Sequence, residues 1–193
     1  MSSANPYDFI TNPAAPAKKS LLGGGKKPLI LGLVIAVVVV LLLAIGASLF
    51  GGGSSQDDYW TALRQHAETI RVSELGSDSA RNNRAKNLAI NTRQTLQSQQ
   101  STLNSLANAG GIKKIDNKQL ALGQDSKTDE RLTKADQLNQ FDEEFIKVMG
   151  EELRAYQSSL KTLFDASSSQ KNRATLSTMY DEVQLLVEST TQE

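Results

Sequence analysis

Residues 132–163 read LTKADQLNQFDEEFIKVMGEELRAYQSSLKTL, and their apolar spacing decides the fold. Leu132, Ala135, Leu138, Phe141, Phe145, Ile146, Met149, Leu153, Tyr156, Leu160 and Leu163 recur at steps of mostly three and four. That is the period at which one side of an α-helix meets a core. Alternation of period two, the mark of a half-buried strand, is not seen along the chain. Ser126 with Asp129 three residues on forms an N-capping pattern, so one helix is predicted over 127–165. Gly150 sits in the middle of the stripe at a cost of about 1 kcal/mol relative to alanine, a position for a kink or a close helix contact.

The same period runs outward on both sides. Upstream, Ser55 and Asp58 form a capping box, Trp60, Leu63, Ala67 and Ile70 a stripe, and Leu75-Gly76 a C-terminal stop, predicting a helix over 56–75. A second helix is predicted over 78–109, ending at Gly110-Gly111. Its seam is Ala85, Ala89, Thr92, Leu96, Gln99, Leu103 and Leu106 in coiled-coil steps. Residues 112–125 read as a loop with one short helical turn capping the end of the bundle. Downstream, Ser167–Ser169 interrupt the pattern, and Leu176, Tyr180, Val183 and Val187 predict a last helix over 169–189. Glu130–Lys134 and Glu143–Lys147 have the favourable order of i,i+4 pairs. All four prolines lie before residue 29. The expectation is an all-α chain folded as an antiparallel four-helix bundle.

Ahead of the bundle lies Leu29–Phe50, LILGLVIAVVVVLLLAIGASLF, with no charge and sixteen Leu, Ile, Val or Phe among its 22 residues. As a helix it would reach about 33 Å, enough for a hydrocarbon core of about 30 Å. Lipid offers no partner to a free N–H, so helix is the form such a run must take there. A transmembrane helix is therefore expected at 29–50, in contact with the lipid bilayer. Residues 1–28 hold Lys18, Lys19, Lys26 and Lys27 against Asp8, and the remainder is net acidic by three. Arg64 is the one Lys or Arg in the first 20 residues after the run. This asymmetry predicts a single-pass plasma-membrane protein with a cytosolic N-terminus and an extracytoplasmic C-terminal domain. The run exceeds the h-region of a cleaved signal peptide and follows a long leader, so an uncleaved signal anchor is expected. Domain boundaries follow: a disordered cytosolic tail at 1–28, the span at 29–50, a Gly/Ser linker at 51–55, and an extracytoplasmic helical bundle at 56–193. The chain has no cysteine, which excludes disulfides, thiolate metal sites and Cys nucleophiles.

In the tail, Tyr7, Asp8, Phe9 and Ile10 form the bulky apolar cluster, between Asn5-Pro6 and Asn12-Pro13. They are the candidate docking motif for a cytosolic partner. NPYDFI, then NPxxPxKK and a Gly/Lys-rich run into an apolar segment, resembles the start of uncharacterised single-pass membrane proteins of reduced-genome bacteria. The resemblance covers about the first 50 residues, and implies a shared address or docking signal and no activity.

Reactive constellations are not found in the sequence. His66 is the lone histidine and, on the edge of an apolar stripe, is expected to be interfacial with one edge wet. It cannot by itself build a zinc or di-iron site of the bundle kind. Carboxylates gather at Asp57-Asp58, Asp129-Glu130, Asp142-Glu143-Glu144, Glu151-Glu152 and Asp181-Glu182. The first two pairs are expected at helix starts and the rest mainly on polar faces. Asp142, nearest the seam, is the best candidate for a functional acid. The GGGKK run lacks a Walker spacing. Arg81, Arg84, Lys86 and Arg93 are dispersed, so nucleic acid is not an expected partner. The Gln/Ser/Asn/Thr-rich face from Asn91 to Ser105 fits a helical protein partner as well as it fits solvent. Gly32–Ala36 and Ala44–Ser48 could seat a partner helix, including that of a homo-oligomer. The expectation is a non-enzymatic interaction protein of the cell envelope, a scaffold or accessory subunit, with no cofactor and no metal. The alternative is a ligand-sensing four-helix module using Trp60, Tyr156 and Tyr180. A LemA-type membrane protein shares the layout, but that family's Arg-rich first-helix motif is missing.

Overall fold

The computed structural model describes residues 54–191, which form six helices and no strand. These are α1 (Gln56–Ser79), α2 (Asn83–Ala109), α3 (Asn117–Ala121), α4 (Ser126–Gln137), α5 (Phe141–Ala166) and α6 (Gln170–Thr191). The span at 29–50 and the tail lie outside the described residues. Among the described residues no helix is long and apolar enough to cross a membrane.

α1 starts at the expected capping box. Asp58 donates its N–H to Ser55 Oγ at 3.2 Å, and Ser55 donates its own N–H to Asp58 Oδ2 at 2.9 Å. The helix does not stop at Gly76 but continues one turn to Ser79. Position 76 has no room for a side chain: a Cβ there would sit 2.1 Å from Phe145 Cζ, so the ring of α5 lies against the bare backbone of α1. α2 starts at Asn83, not 78, because Asn82 is the N-cap, its Oδ1 accepting from Ala85 N–H at 2.7 Å. It ends at Gly110-Gly111 as expected. Gly111 takes φ +98, and Ile112 N–H reaches back to the Ala107 carbonyl at 3.0 Å while the Ile112 side chain is buried.

The helix expected over 127–165 is two helices. Leu138 ends α4, and Asn139 adopts φ 55. Gln140 N–H then bonds the Ala135 carbonyl at 2.8 Å and Asn139 N–H the Asp136 carbonyl at 3.0 Å, the double return of a Schellman stop. Asparagine tolerates that left-handed backbone better than most residues. Asp142, Glu143 and Glu144 therefore occupy the first turn of α5, where carboxylates oppose the helix dipole, rather than a mid-helix polar face. The break turns Leu138, assigned to the seam by period, out to 58% exposure. Gly150 does not break α5, and its bare backbone lies close to Thr190 of α6. α4 is capped by Asp125, whose Oδ1 accepts from Lys127 N–H at 2.9 Å, and not by Ser126.

The bundle is α1, α2, α6 and α5 in ring order, each helix packed on its neighbours. α1–α2 and α5–α6 are antiparallel hairpins with three-residue links at 80–82 and 167–169. The segment between α2 and α5 is a long crossover and does not cap the bundle end. It climbs along α1: Arg64 donates to the Gln119 carbonyl at 3.0 Å, Arg71 to Asp129 at 2.7 Å and Arg81 to Asp136 at 2.7 Å. It delivers α5 to the end where α1 finishes.

Every seam residue expected on α2 is buried, as are Phe145, Met149, Leu153, Tyr156, Leu160 and Leu163 of α5 and Leu176, Val183 and Val187 of α6. Complete burial of such a side chain is worth about 1.5–3 kcal/mol. On α1 the core line is turned by about one residue from the expected stripe. Tyr59, Ala62, Leu63, His66, Thr69, Val72 and Ser73 are buried, whereas Trp60, Ala67 and Ile70 are half-buried. The turned line tolerates hydroxyls because Thr69 and Ser73 donate to their own helix, to the Gln65 carbonyl at 2.7 Å and the Ile70 carbonyl at 2.6 Å. Of the expected i,i+4 pairs, Lys147 meets Glu144 at 3.7 Å rather than Glu143, and Glu130 is not joined to Lys134.

Candidate functional site

Three polar features stand out. The first is buried where α1, α2, α5 and α6 meet. His66 is 3% exposed, not wet-edged, and its Nε2 lies 2.9 Å from the Leu96 carbonyl. A carbonyl only accepts, so Nε2 carries the proton and Nδ1 keeps a lone pair. Burial lowers the pKa, against the carbonyl contact that raises it, and keeps the ring neutral. The ring meets Tyr156 edge-on at 5.3 Å. Tyr156 donates its hydroxyl to Gln99 Oε1 at 3.1 Å, and Gln99 Nε2 donates to Glu182 at 2.7 Å. Burial, then the nearby Glu182 charge, push the Tyr156 phenol above its ordinary range. A neutral imidazole and an un-ionised phenol joined this way hold four helices in register.

The second feature lies between α1, α5 and the crossover. Glu68, 3% exposed, takes Arg71 Nε at 2.8 Å and Nη2 at 2.7 Å, and accepts the Asp125 N–H at 3.2 Å. Arg71 reaches Asp129 with Nη1. Glu152 of α5 faces this group. Desolvation first, then the charges of Glu68 and Asp125, raise its pKa to about 7 despite Arg71. Sequence reasoning placed Glu152 in a carboxylate cluster and overlooked Glu68. The signal for Glu68 was its i,i+3 spacing to Arg71. Among the described residues no cluster of His, Asp and Glu could hold a metal ion.

Asp142 is not placed as a functional acid. Its carboxylate accepts the backbone N–H groups of Arg81 at 2.8 Å and Asn82 at 3.0 Å, so it fastens the α1–α2 link to the start of α5. The aromatic residues of the sensing alternative are not brought together. Tyr156 is wholly buried, Trp60 lies under the Arg64 guanidinium at 5.9 Å, and Tyr180 is half-buried on α6. Tyr7, Asp8, Phe9, Ile10, Lys18, Lys19, Lys26, Lys27, Leu29 and Phe50 lie outside the described residues.

The third feature is a groove of about 510 Å³ between α1, α2 and the crossover. One wall is Leu63, Ala67 and Ile70 of α1, closed by Ile115 and Leu120. The facing wall is Gln97, Gln100 and Asn104 of α2. Glu74 stands at one end, and His66 contributes to the lining. The α1 side of the groove is thus largely apolar and the α2 side amide, and Asn117 adds a polar group from the crossover. Comparison with family models, curated protein sequences and solved structures finds no match to this chain.

Proposed function

We propose that the chain is a single-pass plasma-membrane protein that presents its helical bundle outside the cytosol as a scaffold or accessory interaction domain of the cell envelope, without catalysis. The observation that carries this is the uncharged run Leu29–Phe50, flanked by the four lysines of 1–28 and by the Gly/Ser linker at 51–55. The first helix begins at Gln56, directly after that linker, so a folded body would hang from a short tether. In this reading Tyr7–Ile10 dock a cytosolic protein, while the bundle meets another envelope protein or a second copy. The polar centres described above act as fasteners, which suits a binding domain better than an enzyme. The test is protease protection of the intact chain in spheroplasts. Loss of a C-terminal tag to external protease, with an N-terminal tag spared, is the expected result. A protected C-terminal tag, or a chain that stays soluble without detergent, ends the proposal.

A further inference from the structure

The groove beside α1 is a built cleft that the bundle leaves open, and its walls differ in kind. From Leu63 to Glu74 it follows twelve residues of α1, about 16 Å of helix, or about five residues of extended chain. An extended peptide presents side chains alternately to opposite faces and its N–H and C=O groups along its edges. Ala67 and Ile70, half-buried on the α1 wall, and Ile115 and Leu120 of the crossover suit the apolar side chains of such a strand. Side-chain amides carry a donor and an acceptor in one plane, as a peptide unit does. Gln97, Gln100 and Asn104 therefore offer the α2 wall as a pairing edge.

Charge sets the direction. Glu74 is the ionic group of the lining, and the chain from Gln94 to Ile112 carries no charge. Lys113 and Lys114 are exposed immediately before Ile115, toward the Asn104 end. An anionic polymer would find no cation along the walls. A purely aliphatic ligand would bury the amides unpaired, at about 1–3 kcal/mol each.

We propose that this groove binds an extended segment of a partner protein, about five residues long, with alternating apolar side chains and a cationic residue at the Glu74 end. The inference rests on the interaction reading above and names its contact surface and partner chemistry.

The test is an array of blocked pentapeptides probed with the full-length chain in nanodiscs. Bound peptides are expected to share the apolar alternation and a Lys or Arg at one end. Gln100→Ala should weaken them about fivefold through one lost hydrogen bond. Glu74→Gln should relax the preference for the terminal cation, and Gln94→Ala, on the same helix outside the groove, should change nothing. Gln100, Glu74 and Gln94 are exposed, and unchanged circular dichroism confirms that the variants fold. A blank array, or binders indifferent to both groove substitutions, overturns the inference. If crosslinking in cells still recovers a membrane partner, the interaction reading survives that loss. If groove-directed peptides bind but the bundle proves cytosolic, the localisation falls and the groove stands.

Discussion

Glu152→Gln removes a charge and leaves the shape of the side chain almost unchanged. On folding, desolvation and the facing carboxylates of Glu68 and Asp125 raise the Glu152 pKa from 4.5 to about 7, with Arg71 partly opposing them. Below pH 4.5 the group is protonated in both folded and unfolded chains, and its effect on stability is nil. Between 4.5 and 7 the unfolded chain releases the proton while the folded one keeps it, so stability falls as pH rises. Above 7 both are ionised and the penalty is constant. At 1.36 kcal/mol per pKa unit the ceiling is about 3 kcal/mol. Glu152 is only partly buried, and screening by water reduces the expected value to about 1 kcal/mol. Glu152→Gln should therefore match the parent in urea unfolding near pH 4 and exceed it by about 1 kcal/mol near pH 8, a gain of roughly 3 °C in Tm. Glu151→Gln is the control of opposite sign. Hydrogen bonds from Arg131 hold Glu151 below the usual carboxylate range, so that variant should lose stability at neutral pH and regain it in acid. A Glu152→Gln difference that does not vary with pH would refute the reasoning, because it would mean that packing and not ionisation governs the site.

Asp142→Ala should cost about 1–2 kcal/mol and speed amide exchange at Arg81 and Asn82, whose N–H groups lose their acceptor; unchanged exchange there would count against the fastener role. Gly76→Ala should destabilise by about 1–3 kcal/mol although alanine favours helix, because its Cβ would enter the Phe145 ring, and the companion Phe145→Leu should recover part of the loss in a double-mutant cycle. His66→Phe should flatten the acid limb of the stability profile. The buried ring has a lowered pKa, so the parent loses stability as pH falls below 6.5 and the unfolded chain takes up the proton; equal slopes for parent and variant would exclude that account.

The legible part of the fold was the part in which one apolar line faces one core. The α2 seam, the Ser55 capping box and the Gly110-Gly111 stop are all local statements, and each has its structural counterpart. What misled was a helix with more than one neighbour. α1 packs on α2, on α5 and on α3 of the crossover, so its burial spreads around the cylinder. Thr69, Ser73 and the paired Glu68 then occupy positions that hydropathy assigns to solvent. The α4–α5 break was written in the sequence as Asn139 followed by three carboxylates, a C-terminal stop next to an N-terminal charge pattern. A period that continued across it through Leu138 hid the stop.

The candidate site was less legible for a related reason. Asp142 reads as an acid near a seam, yet proximity to a core says nothing about what the carboxylate touches. Two backbone N–H groups some 60 residues upstream are invisible until the crossover is traced. The groove shows the same dependence. Its α2 wall is legible in the sequence as part of the Gln/Ser/Asn/Thr-rich face from Asn91 to Ser105, ambiguous between solvent and partner. The apolar wall opposite became apparent only when Ala67 and Ile70 were found turned from the core line toward the crossover. A polar face alone gives a partner little area to bury, and an apolar strip alone sits on the margin of many bundles. Brought together with an acid at one end, they give the cleft a direction, and that direction is the ground on which a docking role is proposed for it.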